Sequence, residues 1–188
     1  SSSSNGDEDT SANAVQQLVV FDTETTVTCI GMHPDGLILG AGTADGKLKI
    51  LDLKSQKFAS TLEGHNGAVT SLSFSENGYH FSSSSDAGEV NVWDLRKLKL
   101  MKTLTCDAGA VYQVQFDFSG KNLAYTSGKG VTVCVVKDWE KSMELVTDTL
   151  HKNVVMGIVW GLDGQWIASA GKDRNLVLWG VAAQDAGS

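Results

Sequence analysis

The stretch Gly64–Asp94 reads GHNGAVTSLSFSENGYHFSSSSDAGEVNVWD and holds one complete structural unit. The alternating run Val69–Phe74 meets a polar turn at Asn77-Gly78. A run of small residues follows, and a second turn at Asp86-Ala87-Gly88 leads into Val90-Asn91-Val92-Trp93. Alternation predicts half-buried strands, and Gly beside Asn, Asp or Ser predicts the tight turns between them. The unit recurs along the chain. Gly36, Gly78, Gly120 and Gly164 hold the same turn at offsets of 42, 42 and 44 residues. Met32, Phe74, Phe116 and Trp160 stand four residues before them, and Leu51, Trp93, Val135 and Trp179 close the third strand. A period in the low forties with four strands per unit predicts an all-β chain of propeller blades.

Composition narrows the classes of function. The 188 residues are 41% hydrophobic, enough to bury a core, while a net charge of -7 and a pI near 5.0 argue against direct binding of nucleic acid. The longest apolar stretches are of strand length and broken by polar residues, no apolar leader follows the N-terminus, and there is no Asn-x-Ser/Thr sequon. These features predict an intracellular chain with no membrane segment. Cys29, Cys106 and Cys134 are odd in number and form no Cys-x-x-Cys pair, so they are expected as reduced, mostly buried thiols. Residues 1–14 have no apolar periodicity and read as a disordered, acidic and Ser-rich linker.

The blades are expected at about 25–62, 68–104, 110–149 and 154–180, with a tail over 181–188. Shifting the outer strand Phe58–Leu62 back by one period lands on Gln16–Val20, which predicts an outer strand at 16–21 belonging to a preceding blade. The outer strand of the last blade would reach about residue 190. Either 16–21 completes the last blade in a four-bladed ring, or the chain is an arc of a larger ring. The arc is favoured, because blades of this type usually form seven-membered rings.

Gly64-His65 with Val69, Leu72, Phe74 and Trp93-Asp94 resembles the WD40 repeat, and His151, Val155, Ile158 and Trp160 repeat the spacing. Four segments are more specific: His33-Pro-Asp-Gly-Leu-Ile-Leu-Gly-Ala-Gly-Thr, Ser75-Glu-Asn-Gly-Tyr, Trp93-Asp-Leu-Arg-Lys-Leu-Lys and Asp173-Arg-Asn-Leu. They are similar to the C-terminal WD40 domain of the pre-mRNA-processing factor 19 family, the U-box ubiquitin ligases of the spliceosome. The likeness runs from about Thr26 to Gly180, strongest in the first two units. It implies the C-terminal part of a seven-bladed WD40 propeller that recruits spliceosome subunits and ubiquitination substrates in the nucleus. Catalysis and homo-oligomerisation would belong to a U-box and a coiled coil outside this segment, and no cofactor is implied.

The WD40 resemblance also implies a buried hydrogen-bonded tetrad of His, Ser/Thr, Asp and Trp. The fourth unit has His151, Ser169, Asp173 and Trp179. The second keeps His65, Ser83 and Trp93, but Ala87 takes the Asp position and Asp86 is one residue out of register. The first keeps Asp45 with Leu51 in place of Trp, and the third has none of the four. A Ser, His and Asp also suit a hydrolase, but no Gly-x-Ser-x-Gly elbow accompanies them. Gly40–Lys47 is not a phosphate loop, because Ala41 fills a required Gly and Leu48 the Ser/Thr. His33 and His80 have no carboxylate or Cys close enough in sequence to suggest a metal site.

Recognition is therefore expected at one rim of the propeller. Asn66, Tyr112, Gln113, Lys152 and Asn153 come from the loops entering each blade, and Asp45, Asp86, Lys129, Lys172 and Arg174 from the turns between second and third strands. A competing reading rests on Trp93-Asp94-Leu95-Arg96, which matches the Trp-Asp-x-Arg element by which substrate receptors dock onto the adaptor of cullin-4 ligases.

Overall fold

A computed structural model describes residues 17–145 and 150–180; the linker 1–14 and the tail 181–188 lie outside them. The described residues form strands and no helix, so no helix is long and apolar enough to cross a membrane. Four antiparallel sheets follow one another along the chain. The first holds β1 (Val27–Met32), β2 (Ile38–Thr43), β3 (Lys47–Asp52) and β4 (Lys57–Glu63). The second holds β5 (Val69–Phe74), β6 (His80–Ser85), β7 (Glu89–Asp94) and β8 (Lys99–Thr105). The third holds β9 (Val114–Phe116), β10 (Asn122–Ser127), β11 (Gly130–Val135) and β12 (Asp138–Leu145), and the fourth β13 (Val155–Trp160), β14 (Trp166–Gly171) and β15 (Leu176–Gly180).

The repeat is visible in backbone geometry. The four periodic turn glycines have φ of 71°, 72°, 65° and 68°, a left-handed conformation that L side chains rarely adopt. Each donates its N–H to the carbonyl three residues earlier at 2.9–3.0 Å. Inner strands of the first, second and fourth sheets slip register at one equivalent place, between Val27 and Cys29, Val69 and Ser71, and Val155 and Gly157. Third strands of the first three sheets slip again one step before Leu51, Trp93 and Val135. Bulges at fixed positions increase the local twist, so the sheets turn alike.

The core lies between blades rather than within them. Leu48, Ile50 and Leu62 of the first blade meet Val69, Leu72, Phe81 and Trp93 of the second. Val90 and Val92 meet Val114, Phe116, Leu123 and Tyr125 of the third, and Ala124 and Val131 meet Val155, Ile158, Trp160 and Ile167 of the fourth. Inner strands of neighbouring blades are also tied by side chains. Ser71 and Ser73 accept from Val114 N and Phe116 N at 3.3 and 3.1 Å, and Gln113 and Gln115 accept from Ile158 N and Trp160 N at 2.8 and 3.3 Å.

Both ends of this arc are uncovered. Leu176, 83% exposed, is the register equivalent of Leu48, which is fully buried; Ile30, 66% exposed, is the equivalent of Leu72 at 8%. Among the described residues three inter-blade interfaces are buried and the ring is left open. The strand expected at Gln16–Phe21 is not formed: residues 17–21 carry no strand, and Gln16 lies outside the described residues. Phe21 packs edge-on against Phe58 of β4, with ring centroids 5.5 Å apart.

Candidate functional site

In the fourth blade the side chains of His151, Ser169, Asp173 and Trp179 join in one chain. His151 Nε2 is 2.8 Å from Ser169 Oγ, Trp179 Nε1 donates to the same oxygen at 2.8 Å, and His151 Nδ1 is 3.1 Å from Asp173 Oδ2. Asp173 also accepts from Lys152 N at 2.7 Å and Asn175 N at 3.2 Å. Burial pushes its carboxyl up, but the N–H donors of Lys152 and Asn175 and the His151 imidazole outweigh it and bring the pKa to about 2. The carboxylate thus fastens the loop entering the blade to the turn between β14 and β15. A hydrolase would need its serine open to a substrate carbonyl. Ser169 is buried, and its oxygen already serves both His151 and Trp179.

The second blade solves the same problem with a different acid. His65 Nε2 lies 2.6 Å from Ser83 Oγ, which accepts from Trp93 Nε1 at 2.9 Å. At Nδ1 the acid is Glu89, 3.5 Å away at the head of β7, beside Asn91 Nδ2 at 3.4 Å, while Asp86 is exposed over Gly67. Glu89 also accepts from Asn66 N at 3.0 Å, the role that Asp173 fills for Lys152 N. Asn91 extends the chain, donating to Gly64 O at 2.9 Å and accepting from Thr103 Oγ1 at 2.7 Å. Burial pushes the His65 imidazole down, and the attraction of Glu89 only partly offsets it. Sequence reasoning missed Glu89, although its equivalent in the fourth blade, Asn175, also bonds the loop entering its blade, through Leu150 O at 3.1 Å.

The other two blades lack the chain. In the first, Thr43 Oγ1 donates to Asp45 Oδ1 at 2.6 Å, and Asp45 pairs with Lys47 at 3.4 Å. In the third, Tyr125 stands at the Ser position and Val135 at the Trp position, and burial raises the Tyr125 phenol far above its ordinary value. Cys134 is buried, Cys29 and Cys106 half-buried, and all three are free. No cluster of His, Cys, Asp or Glu among the described residues suits a metal ion.

The rim residues fall into two groups. Asn66, Asp86, Lys129, Lys152, Asn153, Lys172 and Arg174 are exposed on loops that lie together. Lys172 N donates to Val154 O at 2.9 Å, Val155 N to Gly128 O at 2.8 Å, and Lys172 Nζ sits 5.8 Å from the Tyr112 ring. Gln113 is a correction. Its side-chain carbonyl holds Ile158 N between the inner strands, so it belongs to the frame and not to the rim. On the opposite rim Asp94 accepts from Arg96 N and Lys97 N at 2.9 and 3.1 Å, and Arg96 stacks 4.5 Å from the Tyr79 ring.

A family model described as "WD domain, G-beta repeat" matches residues 15–52, 56–94 and 144–180. The chain belongs to the WD40 family. The unmatched stretch 95–143 contains all but the last two described residues of the third blade, the one with none of the tetrad side chains. Pre-mRNA-processing factor 19 of Oryza sativa subsp. japonica is 39% identical over 161 residues, which is 84% of this chain and 31% of that protein. The Homo sapiens protein of the same name is 41% identical over 156 residues, 83% of this chain and 30% of its own length. Pre-mRNA-processing factor 19 homolog 2 of Arabidopsis thaliana is 56% identical over 52 residues, 28% of this chain and 10% of that protein. The WD40 chain thus spans under a third of the length of these relatives.

Proposed function

We propose that this WD40 chain is the protein-recruiting part of a pre-mRNA splicing factor. The observation that carries the reading is identity of 39–41% over more than four-fifths of the chain to proteins named Pre-mRNA-processing factor 19. The frame supports it: the Ser, His and Asp that could suggest hydrolysis tie loops to strands, and rigid blades carry polar loops together on one rim, an arrangement suited to binding proteins. The partners are spliceosome subunits and ubiquitination substrates, the ligase activity belongs to sequence outside this segment, and the protein works in the nucleus. Arg96 does not favour cullin-4 docking, since its guanidinium is engaged by Tyr79 and Asp94 of its own chain.

The test is affinity purification of the protein from nuclear extract as wild type, as Arg96→Ala, and with Lys129, Lys152, Lys172 and Arg174 replaced by Ala. Spliceosome subunits should come down with the first two and fall with the third. Recovery of the cullin-4 adaptor by wild type, with its loss in Arg96→Ala, would refute the reading.

A further inference from the structure

The rim is electrically divided. The chain carries a net charge of -7, yet Lys129, Lys152, Lys172 and Arg174 all stand exposed on the loops of the third and fourth blades. None of the four has a carboxylate of the described residues within 4 Å. The ledge they occupy is continuous: the backbone bonds from Val155 to Gly128 and from Lys172 to Val154 fix its loops together, and Tyr112 lies beneath Lys172. Among the described residues two carboxylates adjoin it. Asp173 is turned inward, with its oxygens on Lys152 N, Asn175 N and His151, and Asp107 is exposed on the loop entering the third blade. Over the first two blades the balance reverses, with Asp22, Glu24, Asp45, Glu63 and Asp86 exposed and Lys47 paired to Asp45 and Glu63.

We propose that the ledge over the third and fourth blades docks a short acidic segment of a partner protein. This rests on the scaffold reading and names the chemistry of the partner. Four cations on a rigid frame, with no carboxylate of the described residues within 4 Å, complement closely spaced Asp and Glu side chains, and such complementarity raises the rate of encounter and selects the partner. The acidic half of the rim sets a boundary. A long polyanion such as RNA would run from the ledge onto five carboxylates, whereas a short acidic peptide ends before them. Tyr112 adds a flat apolar contact at the edge of the cationic surface, the kind of side chain enriched where proteins meet.

The experiment is fluorescence anisotropy of a labelled poly-Glu peptide with the full-length protein at low salt. Wild type should bind, with affinity falling steeply as salt is raised. Lys152→Glu combined with Lys172→Glu should weaken binding at least tenfold, and Lys97→Glu on the opposite rim should leave it within twofold, in variants shown by circular dichroism to be folded. Three results would overturn the proposal: no binding by wild type, equal losses from the two variants, or tight binding of single-stranded RNA at the same ledge with none of poly-Glu. Recovery of spliceosome subunits without poly-Glu binding would sink this inference alone. Peptide binding without those subunits would leave it standing and count against the splicing reading.

Discussion

Ser83 and Ser85 lie two residues apart on β6, point to the same side of the sheet and are both fully buried, yet Ala should destabilise the protein at the first and not at the second. Ser83 Oγ is the junction of the second-blade chain, 2.6 Å from His65 Nε2 and 2.9 Å from Trp93 Nε1. Ala at 83 leaves an imidazole nitrogen and an indole N–H without a partner where no water reaches, since the His65 side chain is fully buried and Trp93 nearly so. One orphaned buried group costs about 1–3 kcal/mol, so two place the loss at about 2–6 kcal/mol. That is a large share of a total stability of about 5–15 kcal/mol. Ser85 Oγ has no hydrogen-bond partner among the described residues, so removing it relieves a desolvated hydroxyl and should be neutral or stabilise by up to about 1 kcal/mol. The assay is urea unfolding followed by tryptophan fluorescence. Similar losses for Ser83→Ala and Ser85→Ala would mean that burial of small side chains in β6, and not the shared Ser83 oxygen, holds the blade together.

Three other outcomes follow from the same geometry. Gly46 has φ +82° and a Cβ there would meet His65 O at 2.7 Å, so Gly46→Ala should cost about 2–4 kcal/mol. Gly109, φ +96° with open space around it, should cost only about 1 kcal/mol on the same change, and equal melting shifts would contradict the packing of that turn. Because burial depresses the folded pKa of His65, its contribution is complete above the unfolded value near 6.5 and is lost as pH falls through the folded one. That of Asp173 persists until pH drops from about 4 towards 2. Urea midpoints between pH 8 and 3 should show the first loss vanish in His65→Gln and remain in Asp173→Asn. Finally, the bare end faces should make the isolated chain self-associate, and Ile30→Lys or Leu178→Lys should reduce this; a wild type that scatters light as a monodisperse monomer would refute it.

The features that could be read from the sequence are those that repeat with a backbone reason. Gly36, Gly78, Gly120 and Gly164 hold a left-handed turn, and the apolar positions before them supply the inter-blade cores, so their period exposed the blades. A strand that depends on a distant partner leaves a weaker mark. Residues 17–21 carry an outer-strand pattern, but a pattern cannot provide the neighbouring ladder, and the segment forms no strand, with Leu18 and Val20 exposed. The tetrad shows a second limit. Aligning the units places Ala87 and Asp86 where an acid is sought, whereas the requirement is spatial, a carboxylate near His65 Nδ1 and Asn66 N, and Glu89 reaches it from the next strand. Gln113 was misread for the opposite reason, since a polar residue beside a loop looks like rim until the adjacent inner strand shows an N–H waiting for it. Repetition therefore reveals the frame and hides the function, because whatever all blades share is what makes a blade. What distinguishes them is the cationic ledge of the third and fourth blades against the acidic loops of the first and second, and that asymmetry is where selection of a partner can act.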